Sequence, residues 1–348
     1  HKLLHDHDLN RGRVRVYEYD GLVWNQLGQT FNGVADYDNV GISVSLSSNG
    51  SILAISSQNH SGGAFDSGHV GVYQYNGSSW VQLGGDIFGE AGGDGYIDSG
   101  YRYGTTISLS SNGTTLAIGT SYNSNSNGFQ AGNVRVYEWG GTQWSKLGAD
   151  IDGYDADALG NSISISSDGS IVAVGANQFA FNLGDPGYAA VYKYNGTSWN
   201  KIGQNIVGEA ADDACGTSVS LASDGTIIGS IVAVSAIEND DNGNNSGHVR
   251  VYQYNGSSWN KMVEDIDGEE VYDNFGYSVS LSSDGTILAV SSINSDKNAT
   301  NSGQVKVYKY NGSIWSNMGK DIYGPIYSKF GGSVSLSSNG EIIGIAHD

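Results

Sequence analysis

Residues 275–322 read FGYSVSLSSDGTILAVSSINSDKNATNSGQVKVYKYNGSIWSNMGKDI, the cleanest copy of a unit that the chain repeats. Two tight turns are legible in it. Ser283-Asp284-Gly285 separates the runs 277–281 and 287–291, and Asn311-Gly312 separates 305–310 from 314–318. Asp-Gly and Asn-Gly flanked by apolar runs favour hairpins, because these residues tolerate the backbone angles that a two-residue turn requires. One unit is therefore two hairpins, or four strands of about five residues each.

Two markers count the units. A Val-x-Val-Tyr-like run with a turn and a tryptophan after it places tyrosines at Tyr17, Tyr73, Tyr137, Tyr192, Tyr252 and Tyr308. Their tryptophans are Trp24, Trp80, Trp144, Trp199, Trp259 and Trp315. Ser-Leu-Ser-Ser or a close variant starts at Ser45, Ser108, Ser164, Ser220, Ser280 and Ser335, alternating with the first marker. In Ser278-Val279-Ser280-Leu281 one face is aliphatic and the other is serine. In Val305–Tyr310 both faces carry large apolar groups, so that strand needs cover on both sides. Small four-stranded sheets stacked radially provide such cover, and the fold they make is a β-propeller. A β-solenoid has shorter periods and lacks paired hairpin turns.

The chain opens with a second hairpin (14–27) and ends with a first hairpin (333–346). The expectation is an all-β, six-bladed propeller of four-stranded antiparallel blades in a single domain. Its blades fall at 40–89, 103–153, 159–208, 215–268 and 275–324, with 330–348 joined to 12–33 as one shared blade that closes the ring. Closure of this kind removes two open sheet edges. Ile345-Ala346-His347-Asp348 resembles what would precede His5-Asp6-His7-Asp8.

Composition fits strands and turns: 52 Gly, 2 Pro, 22 Tyr and 15% charged residues. A net charge of −20 repels phosphate backbones and anionic lipid, so nucleic-acid partners and membrane insertion are not expected. No apolar run reaches the length of a membrane span. The abrupt start at His1 reads as a processed or excised piece of a longer protein. Cys215, the single cysteine, stands where sibling units have Val40, Tyr103, Leu159, Phe275 and Phe330, and reads as core.

The longer connections share one face: 59–68, 121–132, 177–187, 238–247 and 294–303, with acidic connectors such as 265–274. Any ligand site is expected there. Asp240, Asp241, Asn242 and Asn244 offer hard oxygen ligands for calcium, without the spacing of a twelve-residue calcium loop; otherwise no cofactor is expected. His1, His5 and His7 with Asp6 and Asp8 read as a polar terminus rather than a metal patch. Gly-x-Ser-x-Gly, Walker and His-Glu-x-x-His motifs are absent from the sequence. Arg15, Arg135 and Arg250 occupy equivalent positions in different units and read as structural. Asn-x-Ser/Thr sequons occur at Asn49, Asn59, Asn76, Asn112, Asn195, Asn244, Asn255, Asn298 and Asn311; in a secreted eukaryotic product these would be glycosylation sites.

Phe275-Gly276-Tyr277-Ser278-Val279-Ser280 with Leu288-Ala289-Val290 resembles the FG-GAP-type, integrin-alpha-like propeller repeat. Phe330-Gly331 and Val174-Gly175-Ala176 are similar to parts of the same motif. The resemblance implies a secreted or surface-displayed propeller used in adhesion or assembly. Its integrin-type members hold calcium in an Asp-x-Asp-x-Asp-Gly loop between the first two strands; here that place is Ser-Ser-Asp-Gly, so calcium is not carried over to it. The expected function is thus a non-enzymatic extracellular structural, adhesive or assembly module, with protein or glycan partners at the long-loop face. The alternatives are a glycan-binding lectin-like propeller and a glycoside hydrolase-type enzyme.

Overall fold

The computed structural model describes residues 11–57, 68–89, 106–178 and 184–346. Every regular element among them is a β-strand. Five antiparallel sheets follow one another along the chain as blades. The fifth runs Phe275–Leu281, Ile287–Ser292, Gln304–Tyr310 and Trp315–Asn317, and a further short strand is added by Ile322–Tyr323.

That extra strand departs from the four expected, and its cause is local. Gln304–Tyr310 is seven residues long, while Trp315–Asn317 covers only Tyr308–Tyr310. The chain then turns at Gly319, which has φ 84, and Ile322–Tyr323 pairs with Gln304 and Val305. A left-handed residue costs glycine little, so the outermost strand is broken in two. Two-residue strands have no periodicity to read, which is why the sequence conceals them.

Ends and blades differ. The N-terminal segment forms two-stranded ladders, Arg13–Val14 with Phe31–Asn32 and Tyr17–Tyr19 with Trp24–Gln26. The C-terminal segment forms one, Ser333–Leu336 with Ile343–Ala346. Val14, Val16, Leu27 and Phe31 pack on Leu53, Ile55 and Trp80 of the first blade. Val334, Leu336, Ile343 and Ile345 pack with Ala289 and Val305 of the fifth. Among the described residues no ladder joins the two ends.

The core lies between blades. In all five, the second strand is buried along its whole length, as in Ile231–Ala236 and Ile287–Ser292. Both of its faces meet a neighbour, so the run is continuously apolar or small rather than alternating. Ala233, Val249 and Val251 of the fourth blade meet Val279, Leu281, Leu288 and Val290 of the fifth.

Polar cross-links reinforce this packing. Along the first strands, a serine hydroxyl oxygen accepts a backbone N–H from the next blade. Leu109 N donates to Ser45 Oγ (2.9 Å), Ile165 N to Ser108 (3.2 Å), Leu221 N to Ser164 (2.9 Å), Leu281 N to Ser220 (2.9 Å) and Leu336 N to Ser280 (2.9 Å). On the outer side of the second, third and fourth blades, the tryptophan indole donates to a carbonyl of the preceding blade: Trp144 to Leu83, Trp199 to Leu147 and Trp259 to Ile202. In the fifth blade the Trp315 indole N–H is buried without a partner.

The Phe-Gly motif has a physical reason as well. Gly216 has φ 89, and a Cβ there would lie 2.2 Å from the Tyr188 carbonyl oxygen. Cys215 pairs in parallel with Gly187 of the preceding blade. The motif is the point where one blade hands over to the next with backbone against backbone.

Candidate functional site

Hairpin turns occupy one face of the blades and long loops the other. On the short-turn face, polar groups satisfy one another. Asn76, Asn195, Asn255 and Asn311 each accept, through Oδ1, backbone N–H groups two and three residues on. Asn49 and Asn112 accept from Ser51 and Thr114 in the same way. Of the remaining sequon residues, Asn244 and Asn298 lie in long loops, with Asn298 Nδ2 donating to Gly324 O, and Asn59 falls outside the described residues.

On the long-loop face, each blade junction brings together the start of a third strand, the loop before it and the acidic connectors. In the fourth blade that strand is His248–Tyr254. His248 is fully buried and pairs across the sheet with Asp267. Its Nδ1 faces Asp265 Oδ2 at 3.9 Å and Asp241 Oδ2 at 4.0 Å, too far for hydrogen bonds. Neither ring nitrogen has a hydrogen-bond partner, and the buried Oδ1 of Asp267 has none either. Glu209, from the connector before the blade, completes the group. Ligand atoms of Glu209, Asp241, His248 and Asp265 all lie within 4.8 Å of one another.

The charges do not balance. Arg250 pairs with Glu209 at 3.2 Å and Lys261 with Asp265 at 2.6 Å, which leaves Asp241 and Asp267 without a countercharge in the group. Burial, helped by the Arg250 guanidinium, holds the His248 pKa down to about 4. The imidazole is thus neutral at neutral pH and adds no positive charge. Burial and the neighbouring Asp265 and Asp241 carboxylates raise Asp267. Burying polar groups without partners is costly, so this arrangement fits a cation held by one imidazole and several carboxylates.

The same position in the fifth blade is built differently. Gln304 stands in place of His248, Lys306 in place of Arg250, and Lys297 in place of Asp241. Lys297 Nζ lies 2.6 Å from Glu269 and 3.2 Å from Glu270. Lys306 pairs with Glu269 as well, and Gln304 Nε2 donates to Asp321 at 2.6 Å. Here the protein supplies its own ammonium, and the group is closed. In the second blade Asp150 takes both Arg135 (2.9 Å) and Lys146 (2.8 Å). The third blade has Tyr188, whose hydroxyl donates to Asp157 at 2.6 Å.

The loop singled out for calcium splits apart. Asp240 Oδ1 accepts Asn245 N at 2.8 Å, and Asn242 Nδ2 donates to Gly268 O at 3.1 Å. Asn244 is exposed. Only Asp241 enters the ligand group, with partners distant in sequence. Sequence reasoning missed His248, Asp265 and Glu209 because it scanned consecutive residues. Aligning the units would have exposed the variable column His69, Asn133, Tyr188, His248 and Gln304.

Cys215 is buried, with its pKa pushed up to about 12 by that burial, as suits a core thiol. Arg135 and Arg250 are buried in ion pairs, while Arg15 is exposed. The terminal histidines lie outside the described residues.

The fold is that of a β-propeller. Residues 265–308 match the FG-GAP repeat family, which bears out the resemblance read from Phe275-Gly276. A periplasmic gluconolactonase of Pseudomonas aeruginosa is similar in structure, with a TM-score of 0.60 and 15% identity over 95% of this chain and 84% of that one. The Dos1 propeller has a TM-score of 0.48 and 13% identity, covering 86% of this chain and 66% of that one. No curated protein matches the chain by sequence.

One expectation is corrected by these findings. The resemblance to FG-GAP-type repeats implied a non-enzymatic extracellular structural, adhesive or assembly module. The gluconolactonase is an enzyme with the same overall fold, so a propeller of this kind does not by itself separate scaffold from catalyst.

Proposed function

We propose that this chain is a six-bladed propeller, closed by its two end hairpins, that binds a cationic ligand on its long-loop face between the third and fourth blades. The observation that carries the ligand is His248, buried with both nitrogens unpartnered beside acidic groups, where the fifth blade places the ammonium of Lys297.

Closure is supported by a serine ladder that lacks one rung and by exposed apolar residues at both ends. Serine rungs link Ser45 through to Leu336, and the rung that would complete a ring is Leu46 N to Ser335 Oγ. Among the indoles, Trp80 of the first blade donates to Leu27 O of the N-terminal hairpin, and a closed ring would set Trp24 beside Met318. Trp24 is 65% exposed, and Leu46 and Met318 are exposed as well; a sixth blade would cover all three. The repeat register places Gly344 opposite Val16, as Ala289 lies opposite Val307. Oxidation of a Val16→Cys/Gly344→Cys double variant should therefore form a disulfide within the monomer; free thiols after oxidation would refute closure.

Hydrogen–deuterium exchange tests the ligand reading, with zinc chloride, calcium chloride and spermidine as probes. At least one cation should protect residues 237–248 and 265–270. Protection by none, or protection confined to the short turns, would overturn it.

A further inference from the structure

The cation has a definable class. Building on the ligand reading above, we propose that the group Glu209, Asp241, His248 and Asp265 is a site for a divalent transition metal of the zinc class. Two features of the donor set support this choice. An imidazole nitrogen is a ligand that zinc, manganese and their neighbours accept and that calcium and magnesium rarely take. Tetrahedral ligands on one zinc, with bonds of about 2.0–2.2 Å, sit about 3.3–3.5 Å apart. Here the ligand atoms lie within 4.8 Å of one another, with His248 Nδ1 3.9 Å from Asp265 and 4.0 Å from Asp241, so a contraction of about an ångström closes the group on an ion. Ordinary rotamer adjustment of the exposed Glu209 and Asp241 would bring them to bonding distance.

Surrounding groups suit the role. His248 sits on the rigid, buried third strand, and Asp265 is oriented by Lys261. Arg250 holds Glu209 and also donates to Val207 O at 3.0 Å, which fixes one ligand from outside the group. Asp241 and Glu209 lie at the solvent side, so a metal enters from the long-loop face and keeps a water-accessible position. The fifth blade marks what such a site lacks when the ion is replaced: Lys297 in place of Asp241 and Gln304 in place of His248.

The test is calorimetric titration of the full chain with zinc, manganese and calcium chlorides, with metal content after dialysis measured by mass spectrometry. One zinc-class ion per chain is expected, bound at least about tenfold more tightly than calcium. His248→Gln and Asp241→Lys should each weaken zinc binding about 100-fold or more. Asp241→Lys should in addition raise the melting temperature of the metal-free chain, because the ammonium neutralises the carboxylates; this readout shows that the variant is folded. Zinc binding that is absent in the native chain, or equal in the native chain and both variants, would overturn the proposal. If spermidine protects the loops in hydrogen exchange while no metal binds, the metal assignment fails and the cationic-ligand reading stands.

Discussion

The fourth-blade and fifth-blade pockets share one backbone and differ in a handful of side chains. In the fifth, Lys297 and Lys306 sit among Glu269, Glu270 and Asp321, and Gln304 donates to Asp321. In the fourth, Asp241 replaces Lys297, and His248, which donates to nothing, replaces Gln304. The comparison teaches that the frame does not dictate an open acidic pocket. The fold completes such a pocket with its own cation in one blade and leaves the place to a ligand in the next.

The largest test of this comparison strikes the shared frame. Gly216→Ala puts a Cβ 2.2 Å from a backbone oxygen at φ 89, and should cost about 3 kcal/mol or more in thermal or denaturant unfolding. A neutral outcome would mean that the blade handover is not as tight as described. Next comes the ammonium itself. Lys306→Met removes a charge buried against Glu269 and Asp321. Because Glu269 is half-exposed, the expected loss is about 2 kcal/mol rather than the full penalty of a buried broken pair.

The smallest effect is the dependence on pH, which separates the pockets by window. His248 is held at about 4 against an ordinary 6.5. The unfolded chain binds that proton first, so stability is lost as pH falls from 6.5 to 4. Glu269 is held at about 2 against 4.5 by Lys297 and then Lys306; its contribution is present above 4.5 and lost as pH falls towards 2. Asp273, raised to about 6 from 3.8 by burial and Glu270, has the opposite sign, and its stabilising effect is lost as pH rises from 3.8 to 6. Melting curves should show that His248→Gln flattens the slope between pH 6.5 and 4, while Glu269→Gln flattens it between 4.5 and 2. A single profile shared by both variants would erase the distinction.

Much of the frame could be read from residues. Asn311-Gly312 and Ser283-Asp284-Gly285 mark turns because few other pairs accept their backbone angles, and the turns are where the sequence places them. The serines of Ser278-Val279-Ser280-Leu281 read as the polar face of an alternating strand. They also accept the N–H groups of the next blade, a role that alternation alone does not reveal. The strand Ile322–Tyr323 was hidden because two residues have no period. His248 was hidden for a different reason: its partners Asp241 and Asp265 lie in other loops of the same blade and Glu209 in the connector before it, which only the folded sheet brings together. Local chemistry writes turns into a sequence, while a site at a blade junction is written across units.

The central claim is that the side chains, not the frame, decide which pocket takes an outside cation. Its most direct measurement is anomalous diffraction from zinc-soaked crystals of the reciprocal variant Asp241→Lys/His248→Gln/Lys297→Asp/Gln304→His. The account predicts that the zinc peak leaves the fourth-blade group and appears among Glu269, Asp321 and the exchanged positions 297 and 304. A peak that stays between Glu209 and Asp265, or zinc in neither pocket when the native chain binds it, would contradict the account.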